Sequence, residues 1–309
     1  MKEDFPKLLR GAGVISYDAG GAEILSSMIS ESELDVPFWV DGPAKGIFER
    51  RLGGAQLESS VMGITHLLGE CEWVVSSVGW QTDFEWNAIR QSLISGKKTV
   101  VLLDHWVNYR ERLERNDISL IPDEFWAPDQ TAQRIVASLF PQVPTVVVGN
   151  PYLDEAVRVL KAMASPPSHL NTALYLGENI SEHSDLDGTY AEPFGYTEVE
   201  AFNYFLSYAL EWVPRVDKII VRPHPSESSG KYTASDPTYP IPIEHSHEQS
   251  LVSDIGRSHL VVGCESMAMV VALAAGKGVW CCIPPWGRAS RLPFMGIRNL
   301  AEWLGPESR

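Results

Sequence analysis

The segment Arg222-Pro223-His224-Pro225-Ser226 brings a cation, an imidazole and a hydroxyl together at the end of an apolar run. Proline fixes its own backbone φ angle, so the two prolines stiffen the chain on both sides of the histidine. A side chain held in one orientation is suited to meeting a phosphate or a leaving group. We predict that Arg222, His224 and Ser226 bind the anionic part of a substrate.

A second candidate site follows the first apolar run of the chain, at Asp18-Ala19-Gly20-Gly21. Paired glycines, here Gly20 and Gly21, let a backbone approach a ligand closely, and the start of the following helix offers N–H groups to an anion. Asp18 is placed to act as a general base. The structural alternative is a tight turn in which Asp18 only caps the helix.

Two further carboxylates stand beside apolar runs and are candidates for the same base. Asp104 ends the most apolar run of the first half, and Glu85 follows the run that ends at Ser76-Ser77. An acid in the first turn of a helix also complements the helix dipole, which is the structural alternative for Glu85. For Asp104 and the adjacent His105, the alternative is that one of the two is buried and hydrogen-bonded and the other is solvated.

Residues next to these carboxylates are candidates for binding an acceptor. His105 and Trp106 directly follow Asp104, and Thr82 precedes the predicted helix that carries Glu85. Trp106 offers a face on which a sugar stacks, while the other two offer polar contacts. Neighbouring strand residues point to opposite sides, so Asp104 and His105 serve one site only if the chain turns there. A capping role is the alternative for Thr82.

The stretch Gly263-Cys264-Glu265-Ser266 lies between an apolar run and a predicted helix. Ser266 is predicted to cap that helix, and the N–H groups at its start are suited to a phosphate. Glu265 is placed to accept hydrogen bonds from sugar or ribose hydroxyls. The structural alternative is a helix cap without a ligand.

The sequence favours a protein without a metal centre. His245 and His247 lie in a proline-rich loop with no matching group of carboxylates, a pattern typical of surface residues. Cys281 and Cys282 stand side by side in an apolar run and are predicted to be reduced core residues.

Strand-like and helix-like stretches alternate along the chain, which is typical of parallel βαβ units. The alternation restarts after the Pro- and Ser-rich stretch 162–171, which predicts one Rossmann-like domain over 1–155 and another over 172–309. We therefore predict an α/β fold of two Rossmann-like domains facing each other across a cleft, with ligands beyond the carboxyl ends of the strands. The predicted strands are 14–17, 37–40, 73–77, 99–103, 145–148, 173–176, 218–221, 260–262 and 279–283, and the main predicted helices are 83–94, 198–212, 250–255, 266–275 and 300–304.

The composition and net charge indicate which kinds of binding partner are unfavourable for this protein. Of 309 residues, 44% are hydrophobic and 21% charged, which is typical of a globular protein. The formal net charge of −15 argues against a surface that binds nucleic acid or anionic lipid. No run of apolar residues is long enough to span a membrane, and no secretory signal is evident, so we expect a cytoplasmic protein.

Three parts of the chain resemble glycosyltransferases of the GT-B class, most closely bacterial enzymes of surface-polysaccharide (capsule or lipopolysaccharide) synthesis. They are GAEILSSMI with VDGPAKGIFE, then VVVGNPYLDE, and then RPHPSE with VVGCESMAMVVALAAGKGV. In similar enzymes the His-Pro motif contacts the phosphate or nucleotide of the donor, a role that falls on His224. The serine-bearing loop takes the phosphate, a role that falls on Ser266. His-Pro motifs also occur in transferases of CMP-activated keto-sugars such as sialic acid or Kdo.

The resemblance implies transfer of a sugar from a nucleotide-activated donor, either a CMP-keto-sugar or a UDP-sugar, to an acceptor hydroxyl. The acceptor is a glycan, a lipid-linked molecule or a protein; the N-terminal domain would hold it, and the C-terminal domain the donor. The nucleotide sugar is a substrate, so no cofactor is implied, and enzymes of this class typically need no metal. Two other functions fit the same fold: a non-hydrolysing UDP-sugar 2-epimerase or related hydrolase, and a catalytically silent protein that binds nucleotide sugars.

Overall fold

The computed structural model describes residues 4–53, 63–79, 82–181, 194–212, 214–224, 227, 230–233, 238–246 and 249–303. The chain forms two compact units, Met1–Asp154 (unit 1) and Glu155–Arg309 (unit 2). Each unit is built on a six-stranded sheet.

Helices and strands alternate along unit 1 and into the start of unit 2. They are α1 Phe5–Leu8, β1 Ala12–Ser16, α2 Ala19–Ser32, β2 Phe38–Val40, α3 Pro43–Leu52, α4 Ile64–Glu70, β3 Trp73–Ser77, α5 Phe84–Ile94, β4 Lys98–Leu102, α6 Tyr109–Leu113, β5 Glu114–Arg115, β6 Ile118–Ser119, β7 Glu124–Ala127, α7 Gln130–Leu139, β8 Thr145–Val147 and α8 Pro151–Ala162. The sheet of unit 1 has the order β2-β1-β3-β4-β7-β8, with every pairing parallel. β5 and β6 form a separate antiparallel pair.

The core of unit 1 lies on both faces of its central strands. β1 is buried along its whole length, and β3 and β4 are buried except at their first residues. Strands buried on both faces are typical of parallel sheets that helices cover on each side. At the start of α7 a side chain satisfies a free N–H group of the helix: the Asp129 carboxylate accepts from Ala132 N at 2.7 Å.

Unit 2 repeats the alternation. Its elements after α8 are β9 Thr172–Leu176, α9 Glu198–Ala209, β10 Lys218–Arg222, β11 Ile243–His245, α10 Leu251–Gly256, β12 Leu260–Gly263, α11 Met267–Ala274, β13 Gly278–Cys281, β14 Ile297–Asn299 and α12 Leu300–Trp303. The sheet has the order β11-β10-β9-β12-β13-β14, again with every pairing parallel. Counted along the chain this is 3-2-1-4-5-6, the order of a dinucleotide-binding Rossmann domain.

β9 is the central strand of unit 2 and is buried throughout. Tyr175 in this strand stacks on Phe205 with ring centroids 5.6 Å apart and meets Phe202 edge-on at 4.8 Å. Both phenylalanines lie on α9, which begins with a capping box in which Thr197 and Glu200 satisfy each other's backbone N–H. The packing of α9 therefore follows from an aromatic strand residue and a well-defined helix start.

Each sheet has one crevice at its topological switch point, where successive strands stop being added on one side of the first strand and continue on its other side. In unit 1 this crevice lies between β1 and β3, and in unit 2 between β9 and β12. Ligands of open α/β sheets bind beyond the carboxyl ends of the strands at such a crevice. A ligand-binding site is therefore expected at the loops that follow these four strands.

The predicted fold class, α/β with two Rossmann-like domains, is confirmed by these two sheets. The sequence did not predict β7, β11 and β14, which are only three or four residues long. β11 and β14 are edge strands with a charged residue at their centres, so neither shows a continuous apolar run. Helix α3 was missed because Gly46 and Pro43 obscure its pattern.

Cys71, Cys264, Cys281 and Cys282 are all buried and free. The reduced state predicted for Cys281 and Cys282 is thereby confirmed, and the Cys264 and Cys282 sulfurs lie 3.9 Å apart. Among the described residues, no helix combines the length and apolar character needed to cross a membrane.

Candidate functional site

The three carboxylates predicted for catalysis lie at one edge of the sheet of unit 1. Asp18 follows β1, Asp104 follows β4, and Glu85 lies in the first turn of α5, which follows β3. Because β1, β3 and β4 are adjacent parallel strands, their carboxyl ends meet at the same edge. The charges of Glu85 and Asp104 both act on the ionisation of Asp18.

Glu85 is buried and joins the two sides of the crevice in unit 1. Its Oε1 accepts from Tyr17 N at 2.8 Å and from Ser77 Oγ at 2.5 Å, and its Oε2 accepts from Gly79 N. Burial raises the pKa of Glu85, against the opposing effect of these hydrogen bonds. Since Glu85 has 2% of its surface exposed, its position suits holding the end of β1 against the end of β3.

Asp104 is held in a buried ion pair. Arg112 Nη1 donates to Asp104 Oδ1 at 2.7 Å and to the Val78 carbonyl at 2.9 Å. The Arg112 side chain is 7% exposed and the Asp104 side chain is 10% exposed. Arg112 could not be predicted from the sequence, because its partner is eight residues away and belongs to a different element.

Asp18 is half-buried at the N-cap position of α2, and its side chain makes no capping hydrogen bond. Burial, followed by the charges of Glu85 and Asp104, raises its pKa to about 8, although Arg112 and Arg115 act in the opposite direction. The carboxylate lies over the Cα atom of Gly79, where any Cβ would collide with Asp18 Oδ2. Asp18 is therefore an acid that exchanges its proton near neutral pH and is still reached by solvent.

Gly20 and Gly21 are required by packing within unit 1. A Cβ on Gly20 would collide with Asp104 Oδ2, and a Cβ on Gly21 would collide with the Ser77 side chain. The absence of Cβ atoms thus makes room for side chains of the protein, and contact of Gly20 and Gly21 with a ligand stays a prediction. The space beside them is already filled by side chains of β3 and of the loop after β4.

The residues predicted to bind an acceptor have different placements. Trp106 is 2% exposed, and its Nε1 donates to Asp129 Oδ2 at 2.8 Å, which does not fit the predicted stacking of its ring on a sugar. His105 is half-buried, with Nδ1 accepting from Trp106 N at 3.0 Å. Thr82 is half-buried, with Oγ1 accepting from Phe84 N at 3.4 Å. For His105 and Thr82, contact with an acceptor stays a prediction.

Arg222 in unit 2 has a structural partner. Its Nη1 donates to Asp254 Oδ2 and to the Gln249 carbonyl, each at 2.7 Å. Asp254 has no exposed surface, and the same oxygen accepts from Ser246 Oγ at 2.7 Å. Arg222 therefore neutralises a buried carboxylate through Nη1, and its contact with a donor phosphate stays a prediction.

His224 is half-buried just beyond the end of β10. Its backbone N donates to Glu227 Oε2 at 2.7 Å, and Glu227 Oε1 accepts from Tyr232 Oη at 2.6 Å. The backbone at His224 is thus fixed by hydrogen bonds as well as by the preceding proline. The contact between its imidazole and a donor stays a prediction, and Ser226 lies outside the described residues.

Ser266 caps α11 as expected, with Oγ accepting from Ala268 N at 3.2 Å. Glu265 is buried and ion-paired: it accepts from Arg288 Nη2 at 2.5 Å and Nη1 at 3.2 Å, and from Arg291 N. The Arg288 guanidinium lies 4.4 Å from the ring centroid of Phe194. Both oxygens of Glu265 therefore have donors from this chain, and a role in binding hydroxyls stays a prediction.

Glu178 lies at the crevice of unit 2 and was not identified from the sequence. It follows β9, and its Oε1 accepts from Glu265 N at 2.6 Å and from Cys264 N at 3.1 Å. These N–H groups belong to the loop predicted to bind a phosphate. Burial, followed by the charge of Glu265, raises the pKa of Glu178 to about 7. The signal that would have found it is an acid directly after a strand, the same signal that identified Asp18.

Tyr196 was also missed, and it adds an unsatisfied group to this crevice. The residue is 6% exposed, and no nitrogen or oxygen of the described residues hydrogen-bonds to its hydroxyl, which lies close to the Cys264 side chain. Burial, followed by the effects of Cys264, Glu178 and Glu265, raises its pKa, so the hydroxyl is close to all three. A buried hydroxyl without a partner is costly, and such groups mark places where a ligand or water completes the site.

Among the residues that the structure describes, no group of three or more potential metal ligands occurs. His245 ends β11, and His247 lies outside the described residues. The sequence also contains Asp185-Leu186-Asp187, a pair of acids with one residue between them, in a segment outside the described residues. Independence from a metal therefore stays a prediction.

No family model and no curated protein matches the chain in sequence. Solved structures do match its fold. A crystal structure of UDP-GlcNAc 2-epimerase from Neisseria meningitidis bound to UDP-GlcNAc is 12% identical, with a TM-score of 0.61 over 87% of this chain and 82% of that chain. S. aureus MnaA with UDP is 11% identical, with a TM-score of 0.57 over 87% and 78%.

A UDP-GlcNAc 2-epimerase from Methanocaldococcus jannaschii is 14% identical, with a TM-score of 0.51 over 87% of this chain and 83% of that chain. Each match extends over both units of this chain. At these identities the likeness concerns the fold. The chain is thus a two-domain α/β protein of the GT-B-like, doubly Rossmann type.

Proposed function

We propose that the chain is an enzyme that takes a nucleotide sugar and transfers its sugar to an acceptor hydroxyl. The observation that carries the proposal is Asp18, a half-buried acid with a pKa raised to about 8 at the ligand edge of unit 1. A general base works best when its pKa lies near the operating pH. Structures with this fold were solved with UDP-GlcNAc and with UDP, which supports a UDP-sugar rather than a CMP-keto-sugar as the donor.

Asp18 is assigned the proton transfer. Its carboxylate takes the proton of the acceptor hydroxyl while the acceptor oxygen bonds to the anomeric carbon. The bond from that carbon to the nucleotide's phosphate oxygen breaks, and the electron pair stays on the phosphate. Asp18 then returns its proton to solvent. The charge of the leaving phosphate is stabilised by N–H groups and positive side chains of the protein.

Glu85 and Asp104 are assigned positioning roles. Glu85 uses both of its oxygens on backbone and hydroxyl donors around Asp18. Asp104 is paired with Arg112 and lies against Gly20. Burial raises the pKa of Asp18 most, and the charges of Glu85 and Asp104 raise it further.

Unit 2 is assigned the donor. His224 stands at the end of β10 on a backbone fixed by Glu227, and loop 263–266 presents the N-terminal end of α11. Both are at the carboxyl edge of the sheet, where nucleotides bind in doubly wound domains. The acceptor, a glycan, a lipid-linked molecule or a protein, is assigned to unit 1.

A non-hydrolysing UDP-sugar 2-epimerase is the second candidate, because fold matches of this chain include UDP-GlcNAc 2-epimerases. An epimerase changes the sugar without any acceptor. UDP-GlcNAc incubated with the protein alone, followed by NMR of the sugar ring, separates the two functions. An epimerised sugar nucleotide identifies the epimerase, whereas release of UDP only in the presence of an acceptor identifies the transferase. A silent binding protein would produce neither.

Nucleotide recognition is tested first, by thermal shift with UDP, CMP, GDP and CDP. A ligand that binds only the folded state stabilises it and therefore raises the melting temperature. At a ligand concentration of one hundred times the Kd, the free energy of unfolding rises by about 2.7 kcal/mol. We expect UDP to give the largest shift. If none of the four nucleotides shifts the transition, the proposed function is wrong.

Asp18→Asn tests the base. We expect turnover to fall by roughly 10²- to 10⁴-fold, the usual contribution of general base catalysis, with UDP affinity unchanged. The matched control is Asp41→Asn, which removes a carboxylate that follows β2 and is 50% exposed in a pair with Lys45. The control should keep full activity. Equal losses in both variants would contradict the assignment of Asp18.

A further inference from the structure

The N–H groups at the crevice of unit 2 already have an anionic partner in this chain. Glu178 Oε1 accepts from the backbone N atoms of Cys264 and Glu265, the two residues that precede the cap of α11. In α/β domains, phosphate binds at the carboxyl ends of the strands beside the crevice, next to the N-terminus of a helix. The carboxylate of Glu178 thus occupies a position suited to an external anion.

The surroundings of Glu178 disfavour its charged form. The second carboxylate, Glu265, faces it from the β12–α11 loop. Tyr175 of β9, Tyr196 and Cys264 surround it, and Tyr232 lies against Gly177. Arg288, the cation next to this group, is paired with Glu265. Lys231 donates to Oδ1 of Asn179, the residue after Glu178, and is paired with Glu198.

A second observation indicates that the crevice accepts a ligand. The Tyr196 hydroxyl is buried beside the same loop, close to the Cys264 side chain, and no nitrogen or oxygen of the described residues hydrogen-bonds to it. A phosphate oxygen at the loop would offer this hydroxyl an acceptor. The loop and the hydroxyl belong to different elements, so their convergence does not follow from the start of α11 alone.

We propose that Glu178 is a specificity-determining residue: it occupies the anion position of loop 263–266 in the free protein, and it takes up a proton and releases the two N–H groups when a doubly charged phosphate or diphosphate binds there. The proposal deepens the proposed function and rests on it, since it assumes that loop 263–266 receives the phosphate of the nucleotide sugar. It also explains why an acid follows β9 in a domain that is assigned an anionic substrate.

The proposal predicts how affinity depends on pH. Burial and Glu265 place the pKa of Glu178 at about 7 in the free protein, and a bound anion raises it further. Below pH 7 the proton is already present, so affinity is constant. Above pH 7 binding takes up one proton, and affinity falls about tenfold for each pH unit, which gives about 30-fold by pH 8.5.

The test compares the wild type with Glu178→Gln, whose neutral amide still accepts from the loop. Inorganic sulfate and UDP-GlcNAc are the probes, because neither gains nor loses a proton on its anionic groups between pH 6 and 9. Calorimetry at pH 6 and pH 8.5 should show the 30-fold fall for the wild type and a change below threefold for Glu178→Gln. Glu244→Gln, which removes a partly exposed acid paired with Lys218 and Arg257 in the same unit, is the control and should behave as the wild type.

A local readout does not depend on the variant. The backbone ¹⁵N and ¹H shifts of Cys264 and Glu265 in the wild type should titrate with a midpoint near pH 7, and sulfate should remove that titration. If these shifts do not titrate, or if sulfate affinity is independent of pH, the proposal is overturned.

The remaining outcomes separate the proposal from the proposed function. Tighter sulfate binding by Glu178→Gln at pH 8.5, with no binding or turnover of UDP-GlcNAc, would uphold the role of Glu178 and overturn the proposed function. Binding of UDP-GlcNAc with the same pH dependence in both proteins would uphold nucleotide-sugar recognition and overturn the role of Glu178. Failure of both probes to bind either protein would overturn both.

Discussion

Each unit of the chain has a glutamate at the crevice of its sheet, and the two glutamates are surrounded differently. Glu85 in unit 1 contacts both sides of the crevice, through Tyr17 on one side and Ser77 and Gly79 on the other. Glu178 in unit 2 belongs to the loop after β9, and its Oε1 accepts from two N–H groups of the loop after β12. One residue bridges two strand ends, and the other holds one loop from the neighbouring strand.

The difference shows how the same topological position serves two purposes. In unit 1 the bridging glutamate fixes the backbone, and the acid that exchanges its proton near neutral pH is a separate residue, Asp18. In unit 2 the glutamate that holds the loop is itself the exchangeable acid. This difference agrees with the two proposals: a base held in place in unit 1, and an internal anion that gives way to an external one in unit 2.

The largest expected effect tests the fixed arrangement of unit 1. Arg112→Met removes the cation from a buried pair and leaves Asp104 without its partner, which should cost about 3–5 kcal/mol of unfolding free energy. Arg110→Met is the control, since Arg110 is 54% exposed and its ion pair with Glu114 lies at the surface. Its cost should stay within about 0.5 kcal/mol. Urea denaturation of both variants measures the difference, and similar costs would show that unit 1 does not depend on this charge balance.

His224→Ala tests whether unit 2 binds the donor without contributing to folding. Loss of a hydrogen bond to a charged phosphate costs roughly 1.5–3 kcal/mol, so nucleotide affinity should fall about 10- to 150-fold. The melting temperature should change little, because the histidine is half-buried on a loop. Calorimetry with UDP and a thermal scan without ligand are the measurements. A lower melting temperature with unchanged affinity would make His224 a structural residue.

The smallest expected effect concerns the close packing beside Asp18. Gly21→Ala places a Cβ against the buried side chain of Ser77, and overpacking of this kind costs about 1–3 kcal/mol. Gly46→Ala in α3 is the matched control, because nothing lies within 4 Å of its Cβ position. Removing a glycine from a helix interior should stabilise the protein by about 0.5–1 kcal/mol. Urea midpoints that move in the same direction in both variants would contradict this account of the glycines.

Much of the fold was predictable because the central strands are short, continuous apolar runs. The strand predicted at 73–77 is β3 residue for residue, and the strand predicted at 145–148 differs from β8 by one residue. The same reasoning located Asp18 and Asp104, because residues that directly follow such strands reach the ligand edge of the sheet. Position along the chain is enough for this kind of prediction.

What the sequence did not reveal is which side chains neutralise one another. Arg222 has the right residue type and position for a phosphate, yet Asp254, 32 residues later, takes its guanidinium. Gly20 and Gly21 have the pattern of a ligand-binding turn, yet their missing Cβ atoms accommodate Asp104 and Ser77. Such long-range contacts depend on the distance between elements in space, which spacing along the chain does not encode.

All strands of the unit 1 sheet come from one continuous stretch of the chain, and this affects when the sheet can fold during synthesis. Every strand of unit 1 precedes Glu155, so its parallel sheet needs no residue of unit 2. Two paired parallel strands are separated along the chain by a connection that contains a helix. Such long-range pairs form more slowly than hairpins. At about 5–20 residues per second, translation of the second half of the chain takes roughly 8–30 s. The edge that carries Asp18 therefore has time to assemble before the edge that carries Glu178 has been made.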